Sequence, residues 1–300
     1  MELLLTRYNE STLKGNGTYN NLLELCSEVQ NIVENDDFMK SHWDEIVYLT
    51  HSTFRKKSEK AMEHNEKTTN AYWKMTEIWN HFKFDLQNIN HFDIACAPGY
   101  FIMAMKMISK KNNINYSFKG FTLQDGLDLD DDLKNNENIF FQDILKNDLD
   151  DNLKQYYKKY NLVTGDIGIK CNYEQIEELQ LIELERKQME TALKLVSNGG
   201  YVVLKMFTYS QKETIRLVDE FSKHFDKSYI YKPYSSRVLN NESYLIGIHY
   251  DVYTNEGKGT NAEGIEYFEK ERQSFRKNIL QSATLLTKLK RAQYEISKLL

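Results

Sequence analysis

Proline occurs twice in these 300 residues and cysteine three times. Cys26, Cys96 and Cys171 are odd in number, far apart and without Cys-x-x-Cys spacing. That excludes a disulfide framework or a structural zinc site and fits a reducing compartment. No apolar run approaches the roughly 18 residues of a membrane span. The N-terminus carries an early acid, Glu2, and its apolar run is too short for a signal peptide. There is no excess of positive charge: the net charge is -5, so no global basic field advertises nucleic acid. No internal repeat or low-complexity linker divides the chain. These absences lead to the expectation of a soluble, intracellular protein, cytoplasmic or nuclear. The length suffices for a substantial core without cross-links.

What is present is order along the chain. Residues 20–80 read mostly helical, with Leu22, Leu23, Leu25, Val29 and Ile32 on one face and Ala71, Lys74, Met75 and Ile78 on a further helix. An alternation follows. Strands are expected at 91–95, 117–123, 138–141, 161–164, 201–206, 228–232 and 243–250, and helices at 101–108, 175–196 and 212–224. Ser197-Asn198-Gly199-Gly200 is expected to end the long helix. This pattern predicts an α/β fold with a mostly parallel, doubly wound sheet whose last strand runs antiparallel. From residue 254 the chain turns polar, and a helix of about 35 residues is expected after a loop. Residues 270–300 hold eight Lys/Arg against two Glu, a local balance of +6. Arg55-Lys56-Lys57 is also basic, and 125–132 is strongly acidic. The expected organisation is an N-terminal helical region (1–69), an α/β domain (70–253) and a C-terminal loop and basic helical appendage (254–300). The basic segments read as solvated helix faces or as local contacts to RNA or protein.

In doubly wound sheets ligands sit at the carboxyl ends of the strands. The chemically distinctive residues fall there. Asp93-Ile94-Ala95-Cys96-Ala97-Pro98-Gly99-Tyr100-Phe101 is a strand, a sharp turn and a helix start. Gly99 lets the backbone approach a ligand, and the helix N-terminus offers unpaired donors to a carboxylate or phosphate. The Gly-x-Gly-x-x-Gly pattern of dinucleotide sites is missing, so the amino-acid part of S-adenosylmethionine suits the turn better. Lys205 interrupts the apolar run Val202-Val203-Leu204-Lys205-Met206-Phe207, where a lysine is costly unless paired or functional. Asp166 closes Leu162-Val163-Thr164-Gly165; its ordinary reading is a turn cap, its functional one a partner for a substrate hydroxyl beside Lys205. Asp143 reads as a turn residue or as an acceptor for an adenine amine. By default Glu242 and Lys74 are surface charges.

Taken together these parts resemble the FtsJ-type, or RrmJ-like, ribose 2′-O-methyltransferases. That family has an Asp-x-x-x-Ala-Pro-Gly-Gly-Phe turn and a Lys–Asp–Lys–Glu tetrad. The turn matches at Asp93, Ala97, Pro98, Gly99 and Phe101. The tetrad matches at Lys74 in Ala71-Tyr72-Trp73-Lys74-Met75-Thr76-Glu77-Ile78, at Asp166, at Lys205 after Gly199-Gly200-Tyr201, and at Glu242 before Ser243-Tyr244. The resemblance spans about residues 70–250. It departs from the family at Tyr100, which replaces the second glycine, and after the second strand, where Thr122-Leu123-Gln124 stands in place of the usual acid. Cys96, Leu162-Val163-Thr164 and Leu204-Lys205-Met206-Phe207-Thr208 are similar to the cap-specific mRNA branch of eukaryotes and large DNA viruses.

The resemblance implies a Rossmann-like class I methyltransferase fold. It implies methyl transfer from S-adenosylmethionine to a ribose 2′-hydroxyl near the 5′ cap of mRNA. The catalytic residues would be Lys74, Asp166, Lys205 and Glu242, with Lys205 activating or steering the hydroxyl and Glu242 holding Lys205. Cofactor contacts would come from Asp93, Cys96, Ala97, Pro98, Gly99, Tyr100, Phe101, Thr122, Leu123, Gln124, Asp143 and Asp166. No metal and no membrane are called for, and a partner from the capping or transcription machinery is compatible. Action on rRNA or tRNA, a non-catalytic RNA-binding subunit and an unrelated nucleotide-binding module remain as alternatives. Trp43, Tyr48, Trp73 and Trp79 are candidates to stack on a methylated guanine or to fill the core.

Overall fold

Strand-forming apolar runs and amphipathic helices alternate from residue 70 onward, and each strand and helix expected between 91 and 250 forms. The computed structural model describes residues 70–168, 177–207, 212–231, 233, 235–236 and 242–251. The expected helical region 1–69 and appendage 254–300 lie outside the described residues, and with them Cys26, Cys171, Trp43, Tyr48 and the basic segments. The elements are α1 (Asn70–Phe82), β1 (Asn88–Ile94), α2 (Tyr100–Asn112), β2 (Asn115–Thr122), β3 (Ile139–Phe141) and α3 (Leu149–Leu153). A 3-10 turn at Lys154–Tyr156 leads to β4 (Tyr160–Gly165), α4 (Glu177–Leu195), β5 (Val196–Met206), α5 (Lys212–Ser222), β6 (Phe225–Tyr231) and β7 (Ser243–Tyr250).

The seven strands form one sheet in the order β3-β2-β1-β4-β5-β7-β6. The first five pair in parallel, and β7 lies between β5 and β6, antiparallel to both. This is the class I methyltransferase sheet, with its antiparallel pair at one edge. The order reverses between β1 and β4, and ligands of such sheets bind at the carboxyl ends of the strands at that point. The two faces separate by the period-2 alternation of strand side chains. Tyr201 and Val203 of β5 pack with Ile246, Met75, Ile78 and Met105 on the face of α1 and α2. Val202, Leu204 and Met206 pack with Met189, Leu217 and Phe221 on the face of α4 and α5. Each fully buried aliphatic side chain there contributes about 1.5–3 kcal/mol. Trp79 is core, as one expectation had it, and Trp73 is buried as well.

One expectation is corrected. Ser197-Asn198-Gly199-Gly200 does not separate helix from strand; it lies inside β5, which starts at Val196 directly after α4. The β4–β5 register shifts there, pairing Tyr160 with Val196 and Leu162 with Tyr201. Gly199, at φ 74, lets the extra residues bulge without breaking the strand. Among the described residues, no helix is long and apolar enough to cross a membrane.

Candidate active site

The chain leaves β1 through Ala95 at φ 55 and a cis Ala97–Pro98 bond, then reaches Gly99 at φ 104, the N-cap of α2. A residue with a Cβ is strained at that φ and would collide with the Leu133 side chain. The Cys96 N–H donates to the Phe121 carbonyl at 2.9 Å, and the Asp130 N–H donates to the Pro98 carbonyl at 3.0 Å. Two neighbouring segments therefore hold the turn. Burial and the adjacent Asp130, which hydrogen-bonds it, raise the pKa of the Tyr100 hydroxyl. Tyr100 thus reaches back toward the acidic segment, which accommodates a side chain where the family has glycine. Phe101 is buried and packs near the Tyr244 ring. The N-cap residue of α2, Gly99, has no side chain to cap the helix. Beyond it, Thr122 is buried, whereas Leu123 and Phe141 are exposed at the ends of β2 and β3. Gln124 is exposed nearby, and Asp143 Oδ1 accepts from the Leu145 N–H at 2.9 Å.

Beneath the turn lies a buried polar chain. Tyr116 Oη lies 2.9 Å from His91 Nδ1, and His91 Nε2 lies 2.6 Å from Thr164 Oγ1. The Thr164 hydroxyl donates to Asp93 Oδ1 at 2.6 Å. If the hydroxyl of Thr164 donates to the acid, it accepts from His91 Nε2–H, and Nδ1 then accepts from Tyr116. Burial lowers the pKa of His91 to about 3. Burial raises that of Asp93 to about 8, with Thr164 opposing and Asp166 adding to the rise. Burial, then the charge of Asp93, also pushes the Cys96 thiol up. Asp93 is 2% exposed, so it braces the turn from below.

The four tetrad candidates converge at the carboxyl edge. The β4–β5 register ends at Gly165–Leu204, so Asp166 and Lys205 emerge side by side. Lys205 Nζ donates to the Asp166 carbonyl at 3.0 Å and lies 3.1 Å from Oδ1. Gly168 leaves space for this ammonium: a Cβ there would stand 2.9 Å from Nζ. On the neighbouring side Lys74 Nζ donates to Glu242 Oε1 at 2.6 Å. The expectation that Glu242 holds Lys205 is therefore corrected: its partner is Lys74. Lys74 projects from the buried face of α1, and Glu242 stands just before β7, next to that helix. The Lys205–Asp166 pair is the more open one, with side chains 11% and 26% exposed against 9% and 10% for Lys74 and Glu242.

Tyr244 joins the two pairs and was not foreseen. Its hydroxyl donates to Asp166 Oδ1 at 3.0 Å and lies 3.5 Å from Glu242 Oε1. Burial, then both carboxylates, raises its pKa well above that of a free phenol. The signal in the sequence is spacing: two residues beyond Glu242 in a strand, it faces the same side, and it pairs with Lys205 across the ladder. Ser236 Oγ also donates to Glu242 Oε1 at 3.0 Å. Glu77, one turn from Lys74 on α1, accepts from Tyr231 Oη at 2.6 Å and from Ser235 N and Oγ at 2.9 and 2.7 Å. It fastens the segment that leads to Glu242.

These groups are of the kinds that S-adenosylmethionine needs. The N-terminus of α2 can take a carboxylate, exposed Leu123 and Phe141 can flank a purine, and Gln124 and Asp143 can offer polar edges. Residues 68–250 match the family model described as FtsJ-like methyltransferase. A protein of African swine fever virus described as a probable methyltransferase is 40% identical over 89 residues, which are 29% of this chain and 21% of that protein. A cap-specific mRNA (nucleoside-2′-O-)-methyltransferase 2 of Pongo abelii is 26% identical over 272 residues, covering 77% of this chain and 34% of its own length. The chain thus spans about a fifth to a third of these curated relatives. A Plasmodium falciparum crystal structure named as a ribosomal RNA methyltransferase is 23% identical, covering 61% of this chain and 97% of its own, with a TM-score of 0.47. The family match covers more than half of the chain, which belongs to the S-adenosylmethionine-dependent FtsJ-like methyltransferases.

Proposed function

We propose that this chain methylates a ribose 2′-hydroxyl of RNA, at a nucleotide next to the 5′ cap of mRNA. The observation that carries the chemistry is the Lys205–Asp166 pair at the strand ends, joined through Tyr244 to Lys74–Glu242. The cap is favoured by the cap-specific relative whose match extends over 77% of this chain. S-adenosylmethionine, when bound, supplies an electrophilic methyl group. The turn from Ala95 to Gly99, the start of α2, and Leu123, Gln124, Phe141 and Asp143 would hold it.

An alcohol is a poor nucleophile and needs positioning and charge stabilisation. Lys205 is already anchored by two oxygens of Asp166, so its ammonium is aimed rather than free to rotate. It steers the hydroxyl oxygen and stabilises the charge gained there as the proton passes to the neighbouring Asp166 carboxylate. Lys74 is neutralised by Glu242, and the pair fixes Tyr244, which holds Asp166 Oδ1 in place. Positioning of this kind supplies much of the rate of a displacement.

The test is methyl transfer from labelled S-adenosylmethionine to capped RNA, the same RNA uncapped, and rRNA. Label at a 2′-oxygen near the capped 5′ end, with much less on uncapped RNA, is the expected result. Label on a base, or only at internal rRNA positions, overturns the cap assignment.

A further inference from the structure

The ladder between β4 and β5 stops one residue short of the reactive pair: its last rung joins Gly165 and Leu204. Asp166 and Lys205 come next, and a side chain takes over there. Gln188 of α4 is fully buried behind the sheet. Its Nε2 donates to the Lys205 carbonyl at 3.1 Å, and its Oε1 accepts from the Ile167 N–H at a longer 3.4 Å. Gly165 makes room for it, since a Cβ there would stand 2.6 Å from Oε1. One turn earlier on α4, Glu185 accepts from the Phe207 N–H at 3.3 Å. The helix therefore grips β5 on both sides of Met206.

We propose that Gln188 is a positioning residue for methyl transfer: its carboxamide acts as the missing rung that sets Asp166 against Lys205. This rests on the reading of those two residues as the pair that handles the hydroxyl. The chemistry of the spot selects glutamine. It presents one acceptor, the Lys205 carbonyl, and one donor, the Ile167 N–H, and a carboxamide matches both from one rigid plane. A carboxylate would set oxygen against carbonyl oxygen. Methionine fills the volume and satisfies neither group, and asparagine is one methylene short. Gln188 acts from the face of α4, opposite the face of α1 and α2 onto which Lys205 points. It therefore touches neither substrate nor cofactor. It works through backbone, and any slip of the strand ends passes directly into the 3.0 and 3.1 Å contacts between Lys205 and Asp166.

The test compares Gln188→Met and Gln188→Glu in the full chain, with Lys205→Ala as reference. Folding is followed by circular dichroism, and the cofactor site by binding of S-adenosylhomocysteine. Folded Gln188→Met should bind S-adenosylhomocysteine like the parent. Its kcat should fall roughly 10- to 100-fold while KM for RNA moves by less than about threefold. For Gln188→Glu, turnover relative to the parent should rise as pH is lowered, because the protonated acid regains a donor. A purely structural role leaves that ratio flat. A folded Gln188→Met enzyme with kcat within about threefold of the parent overturns the proposal. A flat ratio for Gln188→Glu overturns it too, as does loss of folding in both variants, which makes Gln188 a core residue only. If Lys205→Ala itself turns over normally, the functional reading fails instead; if Lys205→Ala is silent and Gln188→Met is not, only the role of Gln188 is lost.

Discussion

Lys205 is held by two oxygens of one residue, and its neighbours leave little freedom for a substitute. Lys205→Ala should lower turnover on RNA by at least about a hundredfold, the scale of a lost charge-stabilising donor. Lys205→Arg should not restore it, because a planar fork cannot take the place of a point charge. A methyl-transfer assay on folded protein decides this. Gly168→Ala probes the same spot more gently. The new methyl would press on the end of the Lys205 side chain, 2.9 Å from its Cβ, and meet Phe207 at an ordinary 3.8 Å, so the fold should survive. The ammonium would be displaced, and turnover should drop with an unchanged melting temperature. Lys74 is different, because its loss would strand Glu242 as a buried charge. Breaking a buried pair by removing one partner costs about 3–5 kcal/mol. Ser236 and Tyr244 also contact that carboxylate, which places Lys74→Met near the lower end of the range. Adding Glu242→Gln should recover part of the lost stability without recovering turnover. Urea titrations alongside the activity assay separate the two effects.

At the scale of elements, α1 brings two carboxyl-edge fastenings, Lys74 to Glu242 and Glu77 to the segment after β6. Hydrogen bonds to a charged group contribute about 1.5–3 kcal/mol each before their partners find water. Glu77→Ala should therefore cost on the order of 2 kcal/mol. That lowers the melting temperature by roughly 4–8 °C in a domain of this size. Turnover should fall through the loosened Glu242, while S-adenosylhomocysteine binding holds. The elements themselves were legible in the sequence. Apolar runs marked the strands, and β7 was bounded to the residue because Ser243 opens a largely apolar stretch that ends at Tyr250. The candidates at the strand ends were legible for the same reason: a lysine inside Val202–Phe207 and an acid after Thr164-Gly165 violate the local pattern. The pairings were not. Lys74 and Glu242 lie 168 positions apart, and no local pattern says which lysine the glutamate takes. Gln188 was invisible because glutamine inside an amphipathic helix reads as an ordinary polar position. The start of β5 was misjudged because Gly199-Gly200 signals a helix stop and a strand bulge equally well.

For the whole molecule, the buried polar chain under the turn between β1 and α2 should make stability depend on pH in a defined way. Two of its members have strongly displaced pKa values, His91 down to about 3 and Asp93 up to about 8. The groups around Asp93 are His91 on its own strand, Thr164 and Asp166 on β4 and its end, Cys96 in the turn and Tyr116 on β2. Consider the protons that this pair binds in each state. Below about pH 3.8 the unfolded chain protonates both groups, whereas the folded one keeps His91 neutral down to about 3, so stability rises with pH in that narrow interval. From about 3.8 to 6.5 each state carries one proton, on His91 when unfolded and on Asp93 when folded, and the contribution is flat. From 6.5 to about 8 only the folded state is protonated, so stability falls as pH rises. Each pH unit there corresponds to about 1.4 kcal/mol, or on the order of 2 kcal/mol in all. Asp93→Asn removes the acid and keeps its shape. Its stability should climb with pH up to about 6.5, where His91 alone titrates, and then level off. Urea unfolding of parent and variant between pH 5 and 8.5, without cofactor, reads the difference. A parent curve that stays level from 6.5 to 8, like that of Asp93→Asn, would mean that Asp93 is ionised in the fold, and the buried chain would then need a different proton arrangement.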